Sequence, residues 1–347
     1  MSAFVNKVFL FPYYITLKIR HALYDSGRRK AAVYDIPVIC IGNVTVGGTG
    51  KTPMVEEIIR ELQDRKRLAV VSLGYKRKKR GMIFVREEDN AKDVGDEPLQ
   101  IKRKFPNVSV VVCKNRNQAI EALLAMDELS RPETIILDDG LQYLKVRPSR
   151  SIVLVDYNRP TYNDSLLPFG RLRDLPERVR KADAVIVTKC PEWIDPWERE
   201  KWRKKLRLKT DTPLIFSKMI YEKIVPVWPD FADTRYVYSK EACVFTGIAS
   251  DKPLRLYLLG DYKVMASHSF GDHHYYSRKD LNRIGCMAES HPLSILVTTE
   301  KDRLRLVDCK NAPDTVKLRS FYIPIRTGFL EEDDRNAFRS MLKKGAE

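Results

Sequence analysis

The run Ile39-Cys40-Ile41-Gly42-Asn43-Val44-Thr45-Val46-Gly47-Gly48-Thr49-Gly50-Lys51-Thr52-Pro53 constrains this chain more than any other stretch. An apolar segment of strand length gives way to a glycine-rich turn, then to Lys-Thr and a helical apolar pattern from Met54 to Leu62. Backbone N–H groups in such a turn, together with the N-terminus of the helix behind it, make an anion site. Thr45, Val46, Gly47, Gly48, Thr49, Gly50, Lys51 and Thr52 are therefore the candidate cradle for nucleotide phosphates. Lys51 is placed to reach the β- and γ-phosphates, and the Thr52 hydroxyl to ligate Mg²⁺. Thr45 stands where the usual pattern G-x-x-x-x-G-K-[ST] has its first glycine. A turn that only packs a helix onto a sheet would not call for Lys-Thr at the helix start.

Further apolar runs, at Leu68–Leu73, Val108–Cys113, Thr134–Leu137, Ser151–Val155 and Ala184–Val187, alternate with helical patterns. Continuous runs of this kind are strands covered on both faces. The expected fold is α/β: a P-loop NTPase-like, mostly parallel sheet flanked by helices, with a smaller C-terminal α/β domain and an N-terminal amphipathic helix. The expected units are 1–30 for that helix, 31–225 for the nucleotide core, 226–241 for a Pro- and Trp-containing connector and 242–347 for the second domain. The six cysteines are scattered without a C-x-x-C pair, which reads as reduced core thiols in a cytosolic protein and not as zinc ligands. No apolar run is long enough to span a bilayer.

Two carboxylates, Asp138 and Asp139, end the run Thr134–Leu137. After a phosphate loop, such a pair is the expected oxygen-donor end for Mg²⁺. Val94-Gly95-Asp96-Glu97-Pro98 reads as a turn that opens a helix. Asp272-His273-His274 precedes another helix, and four of the five histidines lie between His268 and His291. The missing third ligand argues against a metal centre, and an acid/base role for one imidazole is the more economical reading. A capping turn is the plainer alternative. Arg171 and Arg173 lie in a long irregular segment and are candidates to grip an anion.

The N-terminal run Val8-Phe9-Leu10-Phe11, then Pro12 and Tyr13 through Tyr24, carries aromatic and aliphatic residues with basic ones and ends in Arg28-Arg29-Lys30. Pro12 is expected in a first helical turn. A helix lying in a membrane interface and a helix packed on the core both fit this pattern. With 62 Lys and Arg against 46 Asp and Glu, the net charge is +16, which attracts polyanions without choosing among them. The basic run Lys76–Arg80 follows a strand's carboxyl end and shares that ambiguity.

Taken together, Gly42-Asn43, Gly47-Gly48-Thr49-Gly50-Lys51-Thr52-Pro53, Gly95-Asp96-Glu97-Pro98, Asp138-Asp139-Gly140-Leu141-Gln142, Leu167-Pro168, Asp272-His273-His274 and Thr299-Glu300-Lys301-Asp302 stand in the order seen in the tetraacyldisaccharide 4'-kinase family, which the chain resembles over most of its length. That resemblance implies a kinase that moves the γ-phosphate of ATP onto the 4'-hydroxyl of a tetraacyldisaccharide 1-phosphate, a glycolipid, late in lipid A synthesis. It implies ATP and Mg²⁺ as cofactors, and peripheral or monotopic attachment to the anionic surface of the bacterial inner membrane on its cytoplasmic face. Lys51 and Thr52 would handle phosphate and metal, with Asp138 and Asp139 at the same end. Asp96 and His273 would ready the sugar hydroxyl, with Asp272 beside them. The chain departs from the family's common pattern at Leu141 and Tyr143, at Gly271, and at Phe169-Gly170-Arg171, so contacts to the substrate are where it is expected to differ.

Two other classes share part of this pattern. Membrane-associated regulatory ATPases share the glycine-rich loop and often an amphipathic helix, but their signature lysine falls where this chain has Val46. A nucleic-acid-dependent NTPase is favoured only by charge, since no aromatic-basic interleaving specifies base stacking. No nucleic-acid partner is expected.

Overall fold

The computed structural model describes residues 3–309 and 311–346, with all side chains except those of 3–10, 234 and 344–346. The apolar runs become strands of two sheets. The larger is built around β1 (Val38–Gly42), all five residues of which are buried. On one side of β1 come β5 (Thr134–Asp138), β2 (Leu68–Ser72) and β4 (Ser109–Val112). On the other come β6 (Arg150–Asp156), β7 (Ala184–Thr188) and β8 (Leu214–Tyr221). All of these pair in parallel. The antiparallel strands β3 (Ile83–Phe84) and β14 (Ile325–Phe329) close the two edges. Helices cover both faces, which is why the strands read as unbroken apolar runs.

The chain runs from β1 through the helix Lys51–Leu62 to β2, but β5 inserts between those strands. Strand order reverses at β1, and in open α/β sheets ligands sit in the crevice outside the carboxyl ends at such a point. That topology brings the glycine-rich turn beside Asp138 and Asp139.

The second sheet is ordered β11 (Lys263–Ser269), β10 (Glu241–Thr246), β12 (Ile295–Thr299), β13 (Ser320–Ile323) and β9 (Val225–Pro226), and only β9 is antiparallel. Part of the span 242–347 packs on the larger sheet. Ile325–Phe329 pairs with β8, and in the helix Glu332–Ala346 Phe338, Met341 and Leu342 share a core cluster with Ile39 and Met54. The cause is β8, which continues to Tyr221 and offers its outer edge to the returning chain. Pro226, expected to start the connector, already pairs with Phe321 of β13.

The N-terminal helix runs Ala3–Asp25 and holds Pro12 in its interior, not in its first turn as the sequence led us to expect. The side chains of Val8, Phe9 and Leu10 lie outside those described. Farther along, Leu17 and His21 are buried, and Leu17 packs with Val44, Val153 and Leu172. Phe11 and Ile19 remain exposed on the other side. Among the described residues no helix is long and apolar enough to cross a membrane.

Candidate active site

The glycine-rich turn leaves β1 at Gly42 and is braced by three side chains. Asn43 Nδ2 donates to Thr49 Oγ1 at 2.6 Å. From the end of β7, Thr188 Oγ1 donates to the Thr49 carbonyl at 2.9 Å and the Lys189 ammonium to the Gly48 carbonyl. Gly50 takes a left-handed conformation, φ 82°, to turn the chain into the helix Lys51–Leu62, a conformation that favours glycine. Gly47 and Gly48 are exposed, while Thr49 and Thr52 are buried. Two of the eight expected cradle residues are tied elsewhere. Thr45 forms a bridge with Leu172, and Val46 donates its N–H to the Arg171 carbonyl at 2.8 Å.

Lys51 Nζ lies 3.8 Å from Asp139 Oδ1. Both oxygens of Asp139 are held by the Arg173 guanidinium, one at 2.8 Å, and Arg173 Nη2 also donates to Asn43 Oδ1 at 2.5 Å. Arg173, a candidate grip for an anionic ligand, is therefore a clamp on Asp139, while Arg171 is exposed. Asp138 is buried at the end of β5 and accepts from Ser72 Oγ at 3.0 Å. Burial, then the nearby Glu97 and Asp139 carboxylates, push it up to about 7. A divalent cation would relieve that repulsion, and the Thr52 hydroxyl and Asp138 carboxylate are hard oxygen donors of the kind Mg²⁺ takes. Among the described residues no three His, Cys, Asp or Glu side chains converge to hold a metal by themselves. The site thus suits an ion that completes its shell with phosphate oxygens and water.

Asp96 and Glu97 open the helix Asp96–Lys104. Gly95 before them has φ 100°, and a Cβ there would lie 3.2 Å from the Gly74 Cα, so glycine permits the close approach of the turn after β2. Asp96 Oδ2 meets His273 Nδ1 at 3.0 Å and Arg305 Nε at 3.3 Å. Its Oδ1 is buried without a hydrogen-bond partner. A carboxylate only accepts, so this contact puts the imidazole proton on Nδ1 and leaves Nε2 free. Nε2 lies 3.8 Å from Asp272 Oδ2, and the Tyr75 ring is edge-on to the imidazole at 5.7 Å.

His273 sits in a left-handed turn, φ 61°, with its N–H on the Gly247 carbonyl at 3.0 Å. The helix Glu300–Val307 fixes that turn. Asp302 accepts from the Gly247 N–H at 3.0 Å and Tyr276 Oη at 2.9 Å, and Arg305 donates to the carbonyls of Gly247 and His274, each at 3.0 Å. On the same helix, Lys301 Nζ lies 2.6 Å from Glu97 Oε1. Lys301 chiefly holds Glu97 down to about 2 against burial, and Lys51 and His273 act in the same direction. The Glu97 carboxylate therefore stands in the field of both the phosphate turn and the imidazole. His274 goes elsewhere: it stacks on Phe270 and meets Asp280, the capping-box residue of the helix Arg278–Ser290, at 3.1 Å. The Asp-His-His run is thus a dyad partner followed by a capping turn.

Sequence reasoning gave no role to Glu97, Lys301, Asp302 or Arg305. The last two carried a signal: three residues apart on a helix, they share a face, and two opposite charges on a buried face must pair.

The sequence profile of the family described as LpxK, tetraacyldisaccharide-1-P 4'-kinase, matches residues 4–346. A tetraacyldisaccharide 4'-kinase of Parabacteroides distasonis is 37% identical over 342 residues, covering 97% of this chain and 92% of that protein. One from Porphyromonas gingivalis is 38% identical over 331 residues, covering 93% and 92%. Among solved structures, LpxK from Aquifex aeolicus in complex with ATP superposes with a TM-score of 0.74 at 28% identity, over 98% of each chain.

Proposed function

The chain belongs to the tetraacyldisaccharide-1-P 4'-kinase family and is an ATP-dependent kinase of lipid A biosynthesis, and from that premise we propose how its residues share the transfer of the γ-phosphate of ATP to the 4'-hydroxyl of tetraacyldisaccharide 1-phosphate. Residues 47–52 hold the nucleotide phosphates, with Lys51 neutralising their charge. Thr52 and Asp138 would hold Mg²⁺, which when bound supplies further charge neutralisation on the phosphate oxygens. Asp139 keeps a positioning role, since Arg173 occupies both its oxygens.

A sugar hydroxyl needs a proton acceptor as its oxygen attacks phosphorus. Asp96 Oδ1 is that acceptor. Its other oxygen is held by the His273 imidazole and faces Arg305, which leaves the carboxylate little freedom to turn. The hydroxyl proton passes to Asp96 Oδ1 as the new O–P bond forms. The bond from phosphorus to the bridging oxygen breaks and ADP leaves. Asp272 lies beside the outer nitrogen of His273, at 3.8 Å, without a hydrogen bond to it.

The observation that carries this reading is the Asp96–His273 contact beside a buried, unpartnered carboxylate oxygen. The exposed Phe11 and Ile19 and the net charge of +16 support a peripheral seat on the anionic cytoplasmic face of the inner membrane. Purified protein with Mg-ATP is expected to move labelled γ-phosphate onto a detergent-dispersed tetraacyldisaccharide 1-phosphate. ATP hydrolysis that is indifferent to the acceptor would count against the reading.

A further inference from the structure

The segment after β7 carries a surface that phosphotransfer does not use. Trp193 and Trp197 are 70% and 71% exposed, whereas Trp202 is buried. Trp197 stands in the first turn of the helix Pro196–Leu206, with Lys201 and Lys204 four and seven residues on, along one side. Lys201 Nζ lies 5.0 Å from the Trp197 ring centre, and Lys205 Nζ 5.9 Å from that of Tyr162. Trp197, Glu200 and the three lysines line a cavity of about 300 Å³. Between 193 and 209, seven Lys and Arg stand against three Asp and Glu. Of the acids, Glu198 meets Lys201 at 2.8 Å and Glu200 lies 3.8 Å from Lys204.

The position of this surface in the fold gives it meaning. β7 and β1 are linked through β6 in parallel, so Trp193 and Trp197 follow the same sheet edge from which the glycine-rich turn emerges. Lys189 joins the two directly through the Gly48 carbonyl. Inwardly, Trp202 and Leu206 enter the cluster that also holds Leu17 of the N-terminal helix. That helix has the same orientation. Tyr13 reaches the Arg173 carbonyl at this edge, while Asp25 pairs with Lys181 just ahead of the amino end of β7. Phe11 is therefore at the same edge, and Phe169, 51% exposed, lies in the loop that bonds to Val46 and Val44.

We propose that Trp193 and Trp197, flanked by Lys201, Lys204 and Lys205, are a second contact with an anionic lipid surface, so that the protein sits on the bilayer at two points beside the opening of the phosphate crevice. Indoles settle at the headgroup boundary, where the ring is buried and the N–H stays wet, and lysines pair with lipid phosphates. A single amphipathic helix binds reversibly and leaves its protein free to pivot. A second contact fixes which edge faces the lipid from which an acylated acceptor must come. The proposal rests on the membrane seat given above.

The test uses the full chain and sedimentation with vesicles of phosphatidylethanolamine plus phosphatidylglycerol, against phosphatidylcholine alone. Trp193→Ser with Trp197→Ser is expected to lower partitioning about tenfold on anionic vesicles, and Lys201→Gln, Lys204→Gln and Lys205→Gln together by about as much there but little on phosphatidylcholine. Turnover on detergent-dispersed acceptor should be unchanged in both. Unchanged partitioning of the lysine variant overturns the proposal, and this variant decides the matter should the tryptophan variant fold poorly. Failure of the parent protein to pellet also overturns it and leaves the face to a protein partner. Kinase activity is read separately in detergent, so loss of transfer in the parent protein would strike the functional reading and not this one.

Discussion

Asp138 ends a buried strand with Glu97 and Asp139 close by, and burial with those neighbours raises it to about 7 from an ordinary 3.8. The sign of the consequence is fixed: between those values the native carboxyl keeps a proton that the unfolded chain has lost, so this group makes the nucleotide-free protein less stable as pH rises from about 4 to about 7. Asp138→Asn is expected to raise the melting temperature at pH 8 and to leave it nearly unchanged near pH 4, by thermal melts without nucleotide. On the metal role proposed for Asp138, the same variant should lose Mg-dependent turnover, because a carboxylate ligand must be ionised. Asp96 and His273 make a different demand. Asp96→Asn and His273→Ala are each expected to cut kcat by about 10²- to 10⁴-fold while ATP affinity, by calorimetry, stays within about threefold. Equal losses in both quantities would mean that the pair supports the fold and not the transfer. The sequence displayed these residue types but not their meeting: Asp96 and His273 are 177 positions apart. Nothing local marks Arg173 as a clamp for Asp139 instead of a grip on a ligand.

Elements were legible where a single period dominates. β1, β5, β6 and β7 are covered on both faces, so their apolar runs stand out against polar flanks, and the phosphate loop announced its own strand and helix. The N-terminal helix was harder because its two faces serve different surroundings. Its start lies well before Pro12, and its buried stripe contains a histidine: His21 Nε2 meets the buried Asp174 at 2.6 Å. A helix that only lay on a membrane would not bury that pair. Deleting residues 1–25 removes Leu17 from the core, a loss of about 2–5 kcal/mol, and takes the His21 imidazole from Asp174. The deletion is expected to lower the melting temperature by several degrees in differential scanning calorimetry. Phe11→Ser with Ile19→Ser, on the exposed face, should leave it within about one degree. If the deletion melts like the parent protein, the helix is not part of the core.

At the scale of the molecule, the chain crosses between two sheets near 221–225 and again near 323–325, and the Asp96–His273 contact spans the gap. Asp96 comes from the side of the large sheet, and His273 from a turn beyond β11 of the small one. What holds the halves in register is a buried polar seam. Lys104 Nζ lies 2.8 Å from Glu56 Oε2 on the phosphate-loop helix and 3.0 Å from Glu300 Oε1 on the helix beyond β12, while Gln100 Nε2 donates to Glu56 at 2.8 Å and Glu300 at 3.2 Å. One ammonium thus serves two buried carboxylates, one on each half. Burial and Glu56 together raise the proton affinity of Glu300, which Lys104 opposes. Lys104→Met leaves both acids without that cation, a change that costs about 3–5 kcal/mol when a buried pair is broken. The phosphate turn lies on the large sheet, whereas the Asp96–His273 contact joins the two halves across the seam. Lys104→Met is therefore expected to lose stability in urea titrations by that amount and to lose kcat more than ATP affinity. Lys104→Met combined with Glu300→Gln should recover part of both, because Glu56 keeps Arg60 at 3.2 Å and removing the Glu300 charge removes its repulsion for Glu56. A variant with normal turnover but reduced stability would mean that the halves stay docked without the seam, and that the catalytic contact draws its alignment from Lys301–Glu97 and Arg305–Asp96 alone.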